Sequence, residues 1–298
     1  MSVAFVTGGS GFVGSNLVRR LIAGGSETHV LSRNNAPDRL RGLDVRVHQG
    51  DLSDPAALGR ILQEVRPDQV YHLAAASPSA DSETQVATNL QGLAHLLEAS
   101  ERIDYRSFLH VGDAFEYAPS QEPLKESSPC LPLEPYGITR LAATLNAQAV
   151  ARAAGRPIVI LRLFSVFGPG DHPNRLVSNL IRAATEGRPA SLTRRDIVRD
   201  WLWVDDLADL LIEASSKIGE IRGRIVNAGS SRATRLDELV GLVEHAAGRT
   251  IDARWGALPT RSHDDYPWVS DMSETFAALD WRPRVSLEDG LRRLLEQH

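Results

Sequence analysis

Short apolar runs alternate with helical patterns along the first half of the chain. The runs cover residues 3–6, 28–31, 45–48, 69–73, 108–111 and 158–163. Between them, residues 55–65 and 86–101 show helical spacing, and Ser53 or Asp54 is suited to cap the first of these helices. Strands that alternate with helices in this way are typical of a doubly wound parallel sheet. The sequence therefore predicts an α/β fold.

The alternation loosens after Gly168. A helical pattern follows at 176–186, and a stretch rich in proline and tryptophan lies at 255–268. We predict that residues 1–168 form the sheet domain, joined by a returning segment near 197–228. Residues 169–196 and 229–298 are then a smaller C-terminal substrate-binding lobe. Such a lobe is expected to cover the carboxyl ends of the strands, where open α/β sheets bind their ligands.

Three glycines, Gly8, Gly11 and Gly14, lie in a stretch that also holds Phe12 and Val13 and that separates the first apolar run from a helical pattern at residues 16–22. This spacing permits a tight turn, a close approach of the backbone to a pyrophosphate, and close packing of helix on strand. The positive end of the helix would face the phosphates. The alternative is a glycine turn without a ligand, but a position between a strand and a helix favours dinucleotide binding.

Composition excludes several classes of protein. The 298 residues are 42% hydrophobic, enough for a large core, and the net charge of -5 gives no sign of nucleic-acid binding. A single cysteine excludes an internal disulfide framework, and the histidines form no metal-binding pattern. The start of the chain lacks the pattern of a signal peptide, and no apolar run approaches the roughly 20 residues that span a bilayer. We expect a cytoplasmic protein.

Six further motifs, in order along the chain, resemble those of the extended short-chain dehydrogenase/reductase family. Its members are NAD(P)-dependent nucleotide-sugar epimerases, dehydratases and reductases. The resemblance covers nearly the whole chain and implies a Rossmann sheet with a smaller substrate lobe. The motifs are Gly50-Asp51-Leu52, His72-Leu73-Ala74-Ala75, Thr88-Asn89-Leu90-Gln91-Gly92, Pro135-Tyr136-Gly137-Ile138-Thr139-Arg140, Leu161-Arg162-Leu163-Phe164-Ser165-Val166-Phe167-Gly168-Pro169-Gly170 and Arg199-Asp200-Trp201-Leu202-Trp203-Val204-Asp205-Asp206.

The resemblance assigns further cofactor contacts. Residues at the positions of Asp51 and Leu52 contact the adenine ring in the family, and the stretch of Ala74, Ala75 and Ala76 lines the cofactor. Asp51 has an alternative interpretation, since it could cap the helix that follows it.

The end of the second predicted strand suggests which cofactor is used. NAD-preferring relatives carry an acidic residue there, which binds the ribose 2′-hydroxyl. This chain has Ser32 and Arg33 instead. A hydroxyl and a guanidinium can bind a 2′-phosphate by charge-assisted hydrogen bonds. We therefore expect NADP(H), with NAD(H) possible; the alternative is that Arg33 is simply solvated.

The resemblance places four residues in the catalytic site, and two of them are unusual. Asn89 and Tyr136 match the family, whereas Arg140 replaces the lysine of the YxxxK motif and Asp113 replaces the serine or threonine. In relatives the lysine binds the nicotinamide ribose and lowers the pKa of the tyrosine. An ionised Asp113 can only accept a hydrogen bond. Asp113 is therefore either protonated or paired with Arg140, and the pairing is the interpretation we favour.

The same segment bears on the type of reaction. Dehydratases of the family carry an Asp-Glu pair after the catalytic hydroxyl residue, where this chain has Ala114 and Phe115. Elimination of water by the usual route is therefore not expected. Glu116 lies one residue further, and we interpret it as structural.

Substrate binding is expected to involve arginines, because guanidinium groups suit phosphates. The resemblance places Arg199 beside a nucleotide diphosphate and makes Arg261 a second candidate, although a surface arginine is often simply solvated. Arg194 and Arg195 could contribute. Ser165 replaces an asparagine of the family's sugar site.

Together these residues predict an NADPH-dependent reductase of a nucleotide-linked keto-sugar, specifically a 4-keto-6-deoxyhexose, in which Tyr136 donates the proton. Two alternatives stay open: an epimerase that holds NAD tightly, and a cofactor-binding protein with impaired chemistry. Helices at 93–101 and 141–152 match those that pack two family members together, which predicts a homodimer.

Overall fold

The strands of the protein form one large sheet and two small ones. The structure is a computed structural model that describes residues 2–35 and 37–297. Its strands are β1 (Val3–Thr7), β2 (Glu27–Ser32), β3 (Arg46–Gln49), β4 (Gln69–His72), β5 (Ser107–Asp113), β6 (Ile158–Leu163), β7 (Ser165–Phe167), β8 (Ala190–Ser191), β9 (Val198–Trp203), β10 (Ile225–Ala228), β11 (Ala233–Arg235) and β12 (Ala253–Arg254).

The helices connect these strands in the order that the sequence predicts. A π-helical turn, Val86–Gln91, joins α3 to α4, so this part of the chain is one continuous helix. The helices are α1 (Phe12–Ala23), α2 (Pro55–Val65), α3 (Ser82–Gln85), α4 (Gly92–Ser100), α5 (Pro135–Ala153), α6 (Leu176–Glu186), α7 (Val204–Ser216), α8 (Ile218–Ile221), α9 (Leu236–Ala247), α10 (Ser273–Ala278) and α11 (Leu287–Leu295).

The large sheet has seven parallel strands in the order β3-β2-β1-β4-β5-β6-β10. Successive side chains of a strand point to opposite faces. In β1, Ala4 and Val6 accordingly pack against α1 and α7 on one face, while Phe5 packs against α2, α4 and α5 on the other. The predicted doubly wound α/β fold is confirmed, and each of the six predicted apolar runs contributes a strand to this sheet.

A smaller lobe has its own apolar core, built from α6, α9 and α11. Strands β11, β9 and β7 form a three-stranded sheet there, and β12 pairs with β8. Trp203 at the end of β9 is buried and meets the Phe167 ring edge-on, with centroids 5.3 Å apart. Within the returning segment near 197–228, α7, α8 and β10 join the layers of the large sheet, whereas β9 belongs to the smaller sheet.

The winding of the large sheet reverses between β1 and β4. The chain proceeds from β1 to β2 and β3 on one side, and from β4 to β5 and β6 on the other. A crevice forms outside the carboxyl ends of the strands at such a point. The glycine turn after β1 and residues 73–76 after β4 meet at this crevice.

The glycine turn is packed too closely to admit side chains at two positions. Gly8 has a φ of 72°, and a Cβ there would lie 2.6 Å from the backbone nitrogen of Ala74. A Cβ at Gly14 would overlap the carbonyl oxygen of Gly8. Gly11 donates its N–H to Gly8 at 2.9 Å, and a Cβ there would approach only that same carbonyl group. Gly8 and Gly14 therefore fix the turn, while a Cβ at Gly11 would make one tight contact, 3.1 Å from the carbonyl oxygen of Gly8.

Among the residues that the structure describes, no helix combines the length and apolar character needed to cross a bilayer.

We predict that Gly14→Ala destabilises the protein. The added methyl group has no space against the carbonyl group of Gly8, and overpacking of this kind costs about 1–3 kcal/mol. Urea unfolding followed by circular dichroism measures the change in the free energy of unfolding. Gly241→Ala in α9 is the matched control, since a Cβ there meets nothing within 4 Å and should stabilise the helix by about 0.5–1 kcal/mol. Equal effects of the two substitutions would contradict the packing argument.

Candidate active site

A hydrogen bond between Tyr136 and Asp113 lies at the centre of the site. Pro135 occupies the first turn of α5, where its fixed φ suits a helix start, and Tyr136 follows it. The Tyr136 hydroxyl donates to Oδ2 of Asp113, the last residue of β5, at 3.0 Å. The structure thus brings together two of the predicted catalytic residues from separate elements.

Asp113 is held by two further hydrogen bonds. Its Oδ1 accepts from the backbone N–H of Phe115 at 2.9 Å, and its own N–H donates to Oε1 of Glu116 at 2.8 Å. These bonds form a capping box over the short 3₁₀ turn Ala114–Glu116. Burial raises the pKa of Asp113, and the charge of Arg140 and the hydrogen bonds from Phe115 and Tyr136 oppose that rise.

Tyr136 is strongly biased towards its neutral form. Its side chain is nearly buried, and burial raises the pKa of the phenol. The negative charge of Asp113 raises this pKa further, because it disfavours a second negative charge nearby, whereas Arg140 lowers it. The phenol is therefore protonated at neutral pH.

Arg140 does not pair directly with Asp113, so the predicted pairing is wrong. The guanidinium is buried, its Nη2 donates to the carbonyl oxygen of Val111 in β5, and no ion pair joins it to any carboxylate in the described part of the chain. An arginine is longer than a lysine and presents several fixed donors, so it reaches the strand backbone from α5. Its influence on Asp113 and Tyr136 is that of a nearby buried charge.

Asn89 joins three segments around the site. It lies fully buried in the π-helical turn, and such turns are frequent at functional sites. Its Oδ1 accepts from the backbone N–H of Ala76 at 2.8 Å, and its Nδ2 donates to Oγ1 of Thr139 at 2.9 Å. Thr139 in turn donates to the backbone carbonyl group of Tyr136 at 2.9 Å. Asn89 thus fixes α5 and the loop after β4, and a place for it in a proton path stays a prediction.

The crevice at the switch point fits a dinucleotide. Gly11 caps α1 without a side chain, so the first N–H groups of the helix face outward with no side-chain partner at that cap. Such groups bind phosphate well. Ala74 lies beside the turn, and Ala76 is bound to Asn89. The residues predicted to hold the cofactor are Gly8, Gly11, Phe12, Val13, Gly14, Ser32, Arg33, Asp51, Leu52, Ala74, Ala75, Ala76, Tyr136 and Arg140.

Asp51 lies at the entrance to α2 but is not its N-cap. Its Oδ1 accepts from the N–H of Ser53 at 2.8 Å, and Asp54 caps the helix by accepting from Ala57 at 2.9 Å. The hydrogen bonds from Ser53 lower the pKa of Asp51, and the nearby charge of Arg33 lowers it further. Asp51 therefore remains a candidate for cofactor contact, close to Arg33.

One arginine near the crevice escaped the sequence analysis. Arg39, on the 3₁₀ turn Asp38–Leu40, donates to the carbonyl groups of Gly170 at 3.0 Å and Ser10 at 3.5 Å. It thus links the glycine turn to the loop after β7. Arg33 is exposed, while Ser32 is buried and its hydroxyl accepts from the N–H of Asn34 at 3.2 Å. The only sequence signal for Arg39 is its closeness to the end of β2.

A small, partly open cleft lies beside Tyr136. Phe115 forms one of its walls. Its ring packs edge-on against Trp268, with centroids 4.7 Å apart, and at a tilt against His263, with centroids 4.5 Å apart. Phe115 follows the active-site strand and the other two rings come from the late Pro/Trp-rich region, so the cleft lies between the sheet domain and the smaller lobe. Its lining residues are Phe115, Leu133, Glu134, Tyr136, Gly137, His263 and Trp268.

Glu134 connects the two sides of this cleft. Its Oε1 accepts from the Ser262 hydroxyl at 2.7 Å and lies 3.1 Å from Nδ1 of His263. Burial favours the neutral acid, but these two contacts prevail and lower the pKa of Glu134. Sequence reasoning missed both Glu134 and His263, because they lie far apart in the chain and belong to no motif.

The predicted phosphate-binding arginines meet at the turn Ser262–Asp265. Arg199 makes an ion pair of 2.5 Å with the buried Asp264. Burial lowers the pKa of Arg199, and the pairing with Asp264 opposes that shift. Arg261 is exposed, and its N–H donates to Oδ2 of Asp264 at 2.9 Å. Arg194 pairs with Asp265 at 2.5 Å. Asp264 therefore organises Arg199 and Arg261 at one place.

Ser165 lies further along the lobe boundary. It is half-buried on β7, in register with Trp201 of β9, and it does not line the cleft beside Tyr136. Its predicted contact with a sugar stays a prediction.

Known proteins resemble this chain over almost its whole length. A dTDP-glucose 4,6-dehydratase of Streptomyces griseus is 32% identical, covering 96% of this chain and 90% of that protein. A dTDP-6-deoxy-L-talose 4-dehydrogenase (NAD(P)(+)) of Kitasatospora kifunensis is 31% identical, and the match covers 97% of this chain and 93% of that protein. The structure of a UDP-glucose 4-epimerase of Thermotoga maritima with UDP-glucose superposes with a TM-score of 0.91 at 26% identity, covering 99% of this chain and 97% of that one.

The profile of a family described as the NAD dependent epimerase/dehydratase family matches residues 4–229. This range contains the glycine turn, Asn89, Asp113, Tyr136 and Arg140. The resemblance found in the sequence motifs is confirmed, and the chain belongs to this family of NAD-dependent nucleotide-sugar enzymes.

Proposed function

We propose that this protein reduces the ketone group of a nucleotide-linked keto-sugar, with Tyr136 as the proton donor. The observation that carries this proposal is the hydrogen bond from the Tyr136 hydroxyl to Asp113. A reduction requires an acid that protonates the alkoxide, and a phenol whose pKa is raised is present in the acid form. Oxidation of an alcohol would instead require the phenolate, which burial and Asp113 both disfavour.

Each predicted catalytic residue has a role in this reaction. Tyr136 gives its proton to the oxygen of the substrate, and Asp113 orients the phenol by accepting its hydrogen bond. The buried charge of Arg140 lowers the pKa of both groups and so offsets the negative charge that remains on Tyr136. Asn89 keeps Tyr136 in place through Thr139. The nicotinamide cofactor, when bound, supplies the hydride.

The cleft favours a sugar with an apolar face. Phe115, Leu133 and Trp268 present apolar surface beside Tyr136, which suits the methyl group of a 6-deoxy sugar better than a hydroxymethyl or carboxylate group. The Kitasatospora relative is named for the oxidation of a 6-deoxy nucleotide sugar at carbon 4. We propose a 4-keto-6-deoxyhexose as the substrate of this chain, with Arg199 and Arg261 as contacts of the diphosphate.

An epimerase is the second candidate. The similarity to UDP-glucose 4-epimerases supports it, including that of Thermus thermophilus, solved with NAD, at a TM-score of 0.88 and 27% identity. An epimerase must reoxidise its own intermediate, so Tyr136 would have to act as base as well as acid. The raised pKa of Tyr136 is less suited to the step in which it is the base.

For the cofactor, the family is NAD-dependent and solved relatives contain NAD. A preference of this chain for NADP(H) is our proposal. It rests on the absence of an acidic residue at Ser32 and Arg33 and on the exposure of Arg33 towards solvent at the end of β2.

We also propose a homodimer formed through α5. Ile138 and Leu145 lie two turns apart on this helix and are 55% and 52% exposed, and Val86 on the neighbouring π-helical turn is 38% exposed. Large apolar side chains grouped on one face are typical of an interface. In a two-fold symmetric dimer, this face would pack against the same face of a second subunit, and the apolar side chains would be covered.

The proposed reaction predicts that NADPH is consumed when the protein is given a nucleotide-linked 4-keto-6-deoxyhexose. Nicotinamide absorbance measures the rate, and Tyr136→Phe should lower kcat by about a hundredfold or more, because the proton donor is lost. Interconversion of sugar epimers without net loss of NADPH would favour the epimerase. Cofactor binding without either reaction, across several such sugars, would indicate a binding protein with impaired chemistry.

Arg33→Ala should weaken the binding of NADPH by about tenfold or more, since it removes a charge-assisted hydrogen bond to the 2′-phosphate. The binding of NADH, which has no such phosphate, should change little. Titration of the two cofactors against protein fluorescence measures both dissociation constants. Arg41→Ala, which changes an exposed arginine paired with Asp38, is the control. Equal losses for both cofactors would disprove the NADPH assignment.

Leu145→Glu should convert a dimer to a monomer, because it places a charge in the proposed apolar interface. Size-exclusion chromatography with light scattering measures the mass. Leu258→Glu alters another exposed leucine, 47% accessible and in the smaller lobe, and should leave the dimer intact. A wild-type protein that is monomeric at micromolar concentration would contradict the proposal.

A further inference from the structure

A buried ion pair lies next to Asp113, outside the catalytic residues of the proposed mechanism. Nε of Arg162 is 2.8 Å from Oε2 of Glu116, and the two side chains are 1% and 0% exposed. Arg162 lies within the apolar strand β6 and Glu116 follows β5, so the pair joins two neighbouring strands of the large sheet. Because Glu116 of this pair also binds the backbone of Asp113, the pair has a role beyond packing.

Glu116 uses both carboxylate oxygens. While Oε2 binds Arg162, Oε1 accepts the backbone N–H of Asp113 at 2.8 Å. The missing side chain of Gly112 makes this possible, because a Cβ there would lie 2.5 Å from Oε1 of Glu116. The carboxylate therefore connects Arg162 directly to the backbone of Asp113.

Arg162 is itself fixed from another direction. Its guanidinium lies over the ring of Tyr117, 4.2 Å from the centroid, and the Tyr117 hydroxyl donates to Oδ1 of Asn227 in β10 at 2.7 Å. A cation over an aromatic face is attracted to it, and the planar guanidinium is well suited to this stacking. The ion pair thus has a rigid support across β5, β6 and β10.

We propose that Glu116, held by Arg162, is a positioning residue that fixes Asp113 for its hydrogen bond with Tyr136. This inference rests on the proposed function, in which that hydrogen bond orients the proton donor. The chain of contacts runs from Arg162 to Glu116 and on to Asp113 and Tyr136, each within 3.0 Å of the next.

Stability alone is a weak reason for such a pair. Removing two charges from water costs several kcal/mol per ion, and well-packed apolar residues often replace a buried pair with no loss of stability. A pair kept for packing should therefore be replaceable without effect on the reaction. A pair that positions Asp113 cannot be replaced by apolar residues without an effect on the reaction.

Glu116 also affects the charge around Tyr136. The charged groups buried here are Arg140 from α5, Arg162 from β6, and the carboxylates of Asp113 and Glu116, so two positive groups face two acidic ones. Burial holds the pKa of His110, beside Arg140, well below its usual value, and the exposed Arg175 also lowers the pKa of Asp113. Glu116 raises the pKa of Tyr136, whereas Arg140 lowers it. Loss of the Glu116 charge alone would leave two guanidinium groups facing one carboxylate. Tyr136 would then lose its proton at lower pH.

The first test uses Glu116→Gln, which removes the charge and keeps the shape. Tyrosine labelled with ¹³C at Cζ gives an NMR signal that reports ionisation and hydrogen bonding, and Tyr136→Phe identifies the signal of Tyr136. We expect this signal to begin its shift towards the phenolate at lower pH in Glu116→Gln than in the wild type. Glu122→Gln, an exposed residue on the connection after β5, is the matched control and should change nothing. An unchanged titration in Glu116→Gln would overturn the electrostatic part of the proposal.

The second test uses the double variant Glu116→Leu with Arg162→Met, which replaces the pair by apolar groups. Its melting temperature shows whether the core still packs. We expect kcat to fall by about tenfold or more, with KM for the cofactor within about twofold, and the Tyr136 signal at neutral pH to move because Asp113 is no longer fixed. A wild-type kcat together with an unmoved Tyr136 signal would overturn the proposal. If the double variant does not fold, a wild-type kcat in Glu116→Gln would overturn it.

The NMR measurements need no substrate, so they separate this inference from the proposed function. If the protein reduces no keto-sugar but the Tyr136 signal responds to both variants, the reductase proposal fails and the positioning role stands. If reduction occurs and neither variant affects the signal or kcat, the reductase proposal stands and the positioning role fails.

Discussion

The site depends on one constraint, that a carboxylate rather than a hydroxyl group faces the phenol of Tyr136, the proposed proton donor. A hydroxyl can donate or accept, so it allows the tyrosine either protonation state, whereas an ionised carboxylate only accepts. The Tyr136 hydroxyl donates to Asp113 in this structure, and an ionised Asp113 can only accept that hydrogen bond. The direction of this single hydrogen bond favours the chemistry of an acid over that of a base.

The burial of Asp113 and Tyr136 requires compensation from the surrounding charges. Arg140 supplies it without an ion pair: its guanidinium is anchored on the Val111 carbonyl group and acts on both residues through space. A lysine at this position would present a compact charge to a cofactor, but a longer arginine is directed to the strand backbone. The replacements at 113 and 140 are thus coupled by the electrostatic field and not by contact.

Local patterns predicted the frame of this site, and long-range contacts determined the rest. The strands and the glycine turn follow from hydrophobic spacing and from Gly8, Gly11 and Gly14, all of which are properties of neighbouring residues. The direction of the Arg140 side chain could not be predicted, because it depends on how α5 lies on β5. Glu116 and Arg162 are 46 residues apart and look in the sequence like isolated charges among apolar residues. Only the register of β5 and β6 brings them together.

In the proposed mechanism, the division between the two lobes separates the proton donor from the residues that would select the substrate. Tyr136, Asp113 and Arg140 belong to the sheet domain, where their positions depend on the sheet and on α5. The opposite side of the cleft comes from the turn Ser262–Asp265 and Trp268, which are tied to the sheet domain by the contacts of Glu134 with Ser262 and His263. Changes in this turn and in Trp268 can reshape the cleft without moving the proton donor. In the proposed mechanism, a rigid sheet with a separately variable wall would let one fold act on several sugars by the same proton transfer.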